Sequence, residues 1–419
     1  MIGWEYPPHH SGGLGVACKG MAHALIDNDV HVCFMLPKTL PLEEKRVTIA
    51  FADKNTRTKS PATPLPPHLE LVARELHNPY ISSVDYEQRL KAYIQAGGDP
   101  NIARGRMIPG TLFEKVDYYG ALIQTLSKND LEEFDLIHAH DWLCFPAGMA
   151  AKKVTNKPLI VHIHATEFDR CGGNNVNQYV YEKEREGMHV ADHIIAVSDL
   201  TKRTIVEKYG ISPEKVTVVH NGNTPSPVHE SARFRSLQQL KHDGKKVVLY
   251  AGRITIQKGV DYFVHAARRV LEYEKGVYFI VAGSGDMEQQ IISLTEQLGI
   301  SEHFLYTGYY TIEEQASLFS LADVLVMPSV SEPFGIIPLE SMSNGTPVIV
   351  SKQSGVAEVI SHALKVDFWD TDEMANNILA VIRHPVLQET LQKEGMLQAK
   401  GITWDKAAKK MKILYQTIT

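Results

Sequence analysis

The chain has 419 residues, of which 44% are hydrophobic and 22% are charged, and this balance excludes the disordered and fibrous classes of protein. Single hydrophobic cores stop growing above about 250 residues, so the length predicts two domains. Lysine and arginine number 43 against 49 for aspartate and glutamate, and the net charge of −6 disfavours nucleic acid as a partner.

The apolar runs have the length of strands, and none approaches the length of about 20 residues that a membrane-spanning helix needs. The first residues show no basic and apolar leader, so we expect a cytoplasmic protein without an integral membrane segment. The cysteines are scattered without a C-x-x-C pair, so we expect neither a zinc site nor a disulfide framework. They are Cys18, Cys33, Cys144 and Cys171.

The second half alternates short β-branched runs with amphipathic stretches, which is typical of a doubly wound parallel sheet. The predicted strands are Val247–Tyr250, Val277–Ala282, Phe304–Tyr306, Val324–Met327 and Pro347–Val350. The predicted helices are Val260–Tyr273, Met287–Leu298, one through Leu321 and Gly335–Asn344. The segment Trp404–Tyr415 repeats apolar residues at helical spacing, so we expect a terminal helix that packs across the domains.

The first half shows the same alternation with one interruption. Its predicted strands are Val30–Leu36, Leu136–Ala139, Leu159–His162, His193–Val197 and Val216–Asn221, and its predicted helices are Gly15–Ile26 and one through Lys153. Residues 38–110 are rich in proline and predict an irregular insertion with edge strands at Val47–Phe51 and Leu69–Glu75. Only Met1 and Ile2 precede Gly3, which is short for the opening strand of such a domain.

We therefore predict an α/β protein of two doubly wound, Rossmann-like domains with the active site in the cleft between them. The N-terminal domain spans residues 1–223, the linker 224–245 and the C-terminal domain 246–400, and residues 401–419 form a helix that packs back towards the N-terminal domain. In open α/β sheets, ligands bind beyond the carboxyl ends of the strands. The candidate site residues are therefore those that follow each strand.

A glycine-rich turn opens the N-terminal domain. Ser11–Gly15 reads S-G-G-L-G and leads into a helix, where glycine lets the backbone approach a ligand and free amides suit phosphate. A purely structural turn is equally compatible with this segment. Its spacing differs from G-x-G-x-x-G, which argues against a nicotinamide site.

Two histidine pairs follow later strands of the same domain. Alternate residues of a strand share a face, so His138 with His140, and His162 with His164, resemble metal ligands. Neither a cysteine nor a third histidine stands at ligand spacing, so we expect no metal. We expect His138 and His162 to be satisfied strand-end histidines, whereas His140, Asp141 and His164 lie nearer the cleft.

Cations and carboxylates follow the strands of the C-terminal domain. Arg253 and Lys258 come directly after its first strand and suit a diphosphate, although two solvated loop cations are the alternative. Pro338 is tolerated only in the first turn of a helix, so that helix directs free amides into the cleft beside Glu332 and Glu340. The loops at 282–286 and 307–309 would border a nucleotide.

The order and spacing of these motifs resemble those of the glycogen and starch synthases and of the large retaining glycosyltransferase family four. That family carries a G-G-L loop, an H-D pair, a later histidine, R-x4-K and E-x7-E. Here the corresponding residues are Gly12, Gly13, Leu14, His140, Asp141, His164, Arg253, Lys258, Glu332 and Glu340. The resemblance implies the GT-B fold, with two Rossmann-like domains facing across a cleft, and retaining hexosyl transfer from a nucleotide sugar.

The resemblance also assigns roles to residues. Arg253 and Lys258 would neutralise the donor diphosphate, Glu332 would contact the transferred sugar, and Glu340 would bind the ribose. The other donor-binding positions that it implies are Gly12, Gly13, Gly283, Tyr309, Phe334, Gly335 and Ile336. His164 and Asp141 would line the sugar and acceptor side, where it also places Glu5, His10, His140, Glu167 and Asp169.

The donor that the resemblance implies is ADP- or UDP-glucose, and the acceptor an α-glucan, with no cofactor and no metal. His10 stands where starch-type synthases carry a lysine, which leaves the donor base open. One alternative is a family-four transferase that uses another nucleotide sugar and a lipid-linked, sugar-phosphate or small acceptor. Such enzymes often dock on membranes through a basic helix, but Lys19 is the only lysine or arginine between Gly13 and Ile26.

Two alternatives come from other classes. A metal-dependent single-domain transferase could use Asp27 with Asp29 or Asp370 with Asp372, but turns or helix caps explain these pairs better. A non-catalytic carbohydrate-binding protein is the other, and the joint presence of the cations and Glu332 speaks against it.

Overall fold

A computed structural model gives the fold of the chain and describes residues 1–8, 12–40, 42–53, 112–126, 134–173, 175–224 and 231–419. Within these ranges the chain forms two parallel sheets, each flanked by helices. The predicted edge strand Leu69–Glu75 and the site candidate His10 lie outside the described residues.

The N-terminal sheet has four parallel strands in the order β3-β4-β5-β6, extended by a parallel pair, β1-β2. The strands are β1 (Cys33–Leu36), β2 (Thr48–Phe51), β3 (Ile137–His140), β4 (Leu159–Ile163), β5 (His193–Ala196) and β6 (Val216–Val218). Ile2 forms parallel bridges to Met35 of β1 and to Ala139 of β3. The residues before Gly3 therefore take the strand position between β1 and β3.

Helices pack against both faces of this sheet. They are α1 (Gly13–Asp27), α2 (Leu112–Thr125), α3 (Phe145–Thr155), α4 (Glu167–Arg170), α5 (Gln178–Val190) and α6 (Asp199–Tyr209). Alternate residues of β4 enter different cores, with Val161 packed in the cluster that contains Trp142 and Phe145, and Ile160 in the cluster that contains Phe34. The near-continuous apolar character of β4 follows from this burial on two faces.

The C-terminal sheet has six strands in the order β12-β11-β10-β7-β8-β9. They are β7 (Lys246–Ala251), β8 (Val277–Ala282), β9 (Phe304–Gly308), β10 (Val324–Met327), β11 (Val348–Ser351) and β12 (Leu364–Val366). Its helices are α7 (Arg235–His242), α8 (Val260–Tyr273), α9 (Glu288–Gln297), α10 (Ile312–Ser320), α11 (Ile337–Ser343), α12 (Thr371–Arg383) and α13 (Pro385–Gly401). All pairings in this sheet are parallel, which requires the helical crossovers.

The last helix, α14 (Trp404–Ile418), lies against α1 of the N-terminal domain. Gly20 of α1 makes room for the Trp404 ring, because a Cβ atom at Gly20 would lie 2.5 Å from it. The Asn28 side chain donates a hydrogen bond of 2.9 Å to Asp405. The predicted fold class, with two Rossmann-like domains and a C-terminal helix that crosses between them, is confirmed.

Two predicted boundaries differ from the structure for identifiable reasons. Strand β1 begins at Cys33 instead of Val30, because the Val30 amide still bonds to Leu25 O and closes the end of α1. Helix α11 begins at Ile337 instead of Gly335, because Gly335 has a φ of 92° that no helical residue adopts. Among the described residues, no helix is both long enough and apolar enough to cross a membrane.

Candidate active site

The basic and acidic motifs of the C-terminal domain meet at one edge of its sheet. Lys258, in the loop after β7, places Nζ 2.5 Å from Oε2 of Glu332, in the loop after β10. Ser329 Oγ donates to the same carboxylate oxygen at 3.2 Å. Because β7 and β10 are neighbours in the sheet, residues 74 positions apart in sequence form one charged pair at the cleft.

At this edge of the sheet, glycines allow the backbones of neighbouring loops to lie in direct contact. Gly283 has a φ of 139°, and a Cβ atom there would lie 1.8 Å from the carbonyl oxygen of Gly252. Gly259 has a φ of 63°, and its Cβ would lie 2.2 Å from the carbonyl oxygen of Pro328. The packing of these loops therefore requires glycine at position 283, which was predicted to bind the donor, whether or not a ligand binds there.

Glu340 and Tyr309 lie further along the same edge. Burial raises the pKa of Glu340 to about 7, and its Oε2 accepts a hydrogen bond of 2.6 Å from Gln315 Nε2. Tyr309 is 38% exposed. Arg233 donates to the carbonyl oxygens of Thr307 and Tyr309 at 2.6 Å each and thereby holds this loop.

The loop before α11 carries the remaining predicted donor contacts. Phe334 is buried and its carbonyl oxygen accepts a hydrogen bond from Val356 N at 2.7 Å. In the described part of the chain, the amides of Phe334 and Gly335 donate to no backbone acceptor. These amides and that of Ile336, at the start of α11, lie beside Glu332 and can bind an oxygen-rich ligand.

The glycine turn of the N-terminal domain forms the other side of the cleft. Gly12 precedes α1 as its cap, and apart from the chain neighbours and the backbone of α1 itself, no described atom lies within 4 Å of a Cβ placed at Gly13. The Gly15 amide donates to Glu5 Oε1 at 2.7 Å. Burial raises the pKa of Glu5 to about 8, and the positive charge of Arg253 opposes this shift.

Asp141 and His164 meet at the carboxyl ends of β3 and β4. Asp141 has a φ of 58°, and its Oδ1 accepts hydrogen bonds from the amides of His164, at 2.7 Å, and Ala165, at 3.3 Å. The Nε2 atom of His164 lies at hydrogen-bonding distance, 3.1 Å, from Nδ1 of His140. Asp141 thus fixes the backbone that carries His164.

Three residues predicted on the acceptor side are buried within the protein. His140 has no exposed surface, and Glu167 and Asp169 are only 8% and 4% exposed. Glu167 Oε1 accepts from the Asn177 amide at 3.1 Å, and Asp169 Oδ1 accepts from Ser331 Oγ of the other domain at 2.6 Å. Their role as acceptor contacts stays a prediction, and in this structure their side chains already have partners within the protein.

Sequence reasoning missed a polar network beneath the acceptor side. Arg170 donates to Glu184 Oε1 at 2.8 Å and lies 4.0 Å from Asp141 Oδ2. Burial raises the pKa of Glu184 to about 7, and Tyr209 donates a short hydrogen bond to it. The capping box from Thr166 to Asp169 could have been predicted from its spacing. Nothing in the local sequence of α5 marks Glu184, which bonds across helices.

Three groups of side chains in the described part of the chain are close enough together to be considered as metal ligands, and one of them is Asp199, His220 and Glu358. Ligand atoms of His138, His140 and His162 lie within 4.8 Å of one another, as do those of Cys18, His140 and His164. The acidic pair at the start of α12 has other partners. Asp370 caps that helix by accepting from the Glu373 amide at 2.9 Å, and Asp372 accepts from Arg269 Nε at 2.6 Å.

Two protein families match the sequence, one for each domain. The family described as Glycosyltransferase Family 4 matches residues 11–225, and the one described as Glycosyl transferases group 1 matches residues 233–397. The first match covers just over half of the chain. The protein therefore belongs to glycosyltransferase family 4 and is a transferase.

Individual relatives agree with this assignment. The chain is 29% identical over 372 residues to an uncharacterised glycosyltransferase of Methanocaldococcus jannaschii, covering 86% of this chain and 82% of the relative. It is 25% identical over 365 residues to a glycogen synthase of Mycobacterium tuberculosis, covering 86% and 79%. The structure of sucrose-phosphate synthase from Thermosynechococcus elongatus superposes with a TM-score of 0.73 at 20% identity, covering 99% of this chain and 98% of that one, which supports the shared fold.

Proposed function

We propose that the protein is a retaining hexosyltransferase that moves glucose from ADP- or UDP-glucose to an α-glucan. The observation that carries this proposal is the contact of Lys258 with Glu332, with Arg253 in the same loop as Lys258. These are the family positions for diphosphate and transferred sugar, and they meet at the carboxyl edge of the C-terminal sheet. The glucan acceptor is proposed from the glycogen synthase among the relatives.

The donor diphosphate is proposed to bind between the two domains. Arg253 offers a planar fork of donors and Lys258 a compact charge, and both suit phosphate oxygens. On binding, Lys258 exchanges part of its contact with Glu332 for the diphosphate, which leaves the Glu332 carboxylate to accept from sugar hydroxyls. The space that the described residues leave open beside Gly13 is proposed to accommodate the diphosphate close to the α1 amides.

The reaction proposed is substitution with retention at the anomeric carbon. The bond from C1 to the diphosphate oxygen breaks, and the acceptor hydroxyl forms its bond to C1 on the same face. The acceptor proton passes to the departing diphosphate oxygen, so no side chain needs to act as the base. Negative charge grows on the diphosphate in the transition state, and pre-placed cations stabilise it without a metal or other cofactor.

Glu340 and Tyr309 are proposed to bind the nucleoside, through the ribose and the base respectively. His164 is proposed to contact the transferred sugar from the N-terminal side. The partners are then a nucleotide sugar and a carbohydrate.

A donor panel tests the proposal. ADP-glucose, UDP-glucose, GDP-mannose and UDP-GlcNAc are each supplied with glycogen or maltooligosaccharide, and released nucleotide is measured. We expect turnover with one of the two glucose donors and retention of the α configuration in the product by NMR. Turnover confined to another donor, or only with a small or lipid-linked acceptor, would reassign the substrate, and an inverted product would exclude the mechanism.

A further inference from the structure

Four histidines form a compact group under the N-terminal side of the cleft. His138 and His140 lie on β3, His162 lies on β4, and His164 directly follows β4. His140 is paired with His162 in the parallel register, and alternate residues of each strand share a face. We call these four side chains the histidine ladder.

The ladder has two rungs between the strands. His138 Nε2 lies 3.2 Å from His162 Nδ1, and His140 Nδ1 lies 3.1 Å from His164 Nε2. The ring centroids are 5.3 Å apart in both rungs. Along each strand the rings are close neighbours, with centroids 4.3 Å apart for His138 with His140 and for His162 with His164.

The rungs have the geometry of hydrogen bonds and not of metal ligands. In each rung the nitrogens are about 2 Å closer than the centroids, so they point at each other along the line that joins the rings. A zinc ion on that line, with Zn–N bonds of about 2.0–2.1 Å, would hold the nitrogens about 4 Å apart. The observed separations fit one shared proton in each rung.

Burial keeps the ladder neutral, because it lowers the pKa of all four imidazoles. A neutral imidazole has one donor and one acceptor nitrogen, so the two rings of a rung must adopt matching tautomers. Among the described residues, His140 Nε2 is buried without a hydrogen-bond partner. A bare nitrogen costs less there than an unpaired N–H, so the His140 proton belongs on Nδ1, which donates to His164 Nε2.

We propose that His140 is a positioning residue that fixes the ring orientation and tautomer of His164. With its Nε2 accepting from His140, His164 carries its own proton on Nδ1 and presents that N–H to a hydroxyl of the transferred sugar. This inference rests on the proposed function for its last step only. In the lower rung, His138 with His162, the Nδ1 atom of His138 lies 2.6 Å from the hydroxyl oxygen of Tyr415 in α14. Among the described residues, this rung makes no hydrogen bond to His164.

The test compares His140→Leu, His140→Asn and His138→Leu. Asparagine can place an amide N–H near the Nδ1 position, whereas leucine removes the donor. We expect His140→Leu to lower kcat about 100-fold with the donor KM nearly unchanged, since a misplaced group of this kind costs about that factor. We expect His140→Asn to recover most of the activity. His138→Leu makes the same change on the same strand, at equal depth, and should keep kcat within about threefold.

A second measurement does not depend on turnover. Long-range ¹H–¹⁵N NMR of histidine-labelled protein reports the tautomer of each ring, and a His164→Gln variant identifies the His164 signals. We expect a single Nδ1–H tautomer for His164 in the wild type and in His138→Leu, and a mixture in His140→Leu. An unchanged His164 tautomer in His140→Leu, or equal losses of kcat in both leucine variants, would overturn the proposal. If the wild type turns over none of the panel donors, the proposed function fails while the NMR result still decides the role of His140.

Discussion

The two sides of the cleft present polar groups in opposite electrostatic states. On the C-terminal side, Lys258 and Glu332 form an ion pair at an opening where their side chains are 18% and 10% exposed. On the N-terminal side, burial lowers the pKa of His164 and raises that of Glu5 to about 8, so both are neutral at pH 7. The Lys258–Glu332 pair therefore offers charge, and His164 and Glu5 on the opposite side offer neutral hydrogen-bonding groups.

This difference matches the two tasks of a glycosyl transfer. A leaving diphosphate gains negative charge and needs cations, whereas sugar hydroxyls are recognised by neutral donors and acceptors. The glycines differ in the same way. Gly283 is enclosed by backbone on the C-terminal side, while Gly13 faces open space among the described residues.

The largest expected effect is loss of transfer on removal of either member of the ion pair. Lys258→Ala and Glu332→Ala should each lower kcat by about a thousandfold or more, because each removes charge stabilisation made at the reacting centre. Both variants should stay folded and soluble by circular dichroism, and single-turnover nucleotide release measures the loss. Near-normal turnover by either variant would show that Lys258 and Glu332 do not belong to the active site.

A matched pair of glycine substitutions compares the two sides in stability. Gly283→Ala forces its Cβ to within 1.8 Å of Gly252 O, so we expect a loss of about 3 kcal/mol or more in unfolding free energy, or no soluble protein. Gly13→Ala should change stability by less than about 1 kcal/mol, since Gly13 lies in the first turn of a helix where the described residues leave room for a methyl group. Denaturant titration measures both. Equal destabilisation would contradict the difference in packing.

Gly13→Ala also tests the space above the turn. If the diphosphate approaches the α1 amides there, the added methyl group should raise the donor KM about tenfold while leaving the fold intact. An unchanged donor KM would move the diphosphate away from α1.

The pH dependence of stability should change when Glu5 is made permanently neutral. The folded-state pKa of about 8 exceeds the unfolded value of 4.5. Between these two pH values the Glu5 carboxyl is therefore protonated in the folded protein and ionised in the unfolded chain. The contribution of Glu5 to the free energy of unfolding is fully present below pH 4.5. It falls as the pH rises to 8, by at most about 1.4 kcal/mol per pH unit. Glu5→Gln keeps an acceptor for Gly15 and should flatten this fall in thermal-melting profiles. Parallel profiles for wild type and variant would show that Glu5 is ionised in the folded protein.

The smallest expected effect is that of chelation. Cations of the protein are proposed to stabilise the leaving diphosphate, so turnover in EDTA should stay within about twofold of the untreated enzyme. Loss of turnover that manganese restores would instead favour metal-dependent transfer.

Much of the fold could be predicted from the sequence because its signals are local. The boundaries of α8, β8 and β10 match their predicted ranges, since apolar periodicity and the flanking glycines or polar residues lie within each segment. The donor-side motifs could also be placed, because parallel strands bring their carboxyl ends to one edge of the sheet. That rule places Lys258 and Glu332 at one edge of the sheet, whereas their contact depends on the pairing of β7 with β10, which only the structure shows.

The tertiary structure alone decided which polar residues face the cleft. His140 and His164 occupy equivalent positions in two similar motifs, yet His140 is wholly buried and His164 is partly exposed, because His140 lies within the sheet and His164 lies just beyond its end. Asp169 binds Ser331 of the other domain, and Glu184 binds Arg170 and Tyr209 from separate helices. The sequence determined the chemistry available at each strand end. Packing between elements distant in sequence decided how deeply each polar side chain is buried and which partners it binds. Periodicity within a segment carries no information about either.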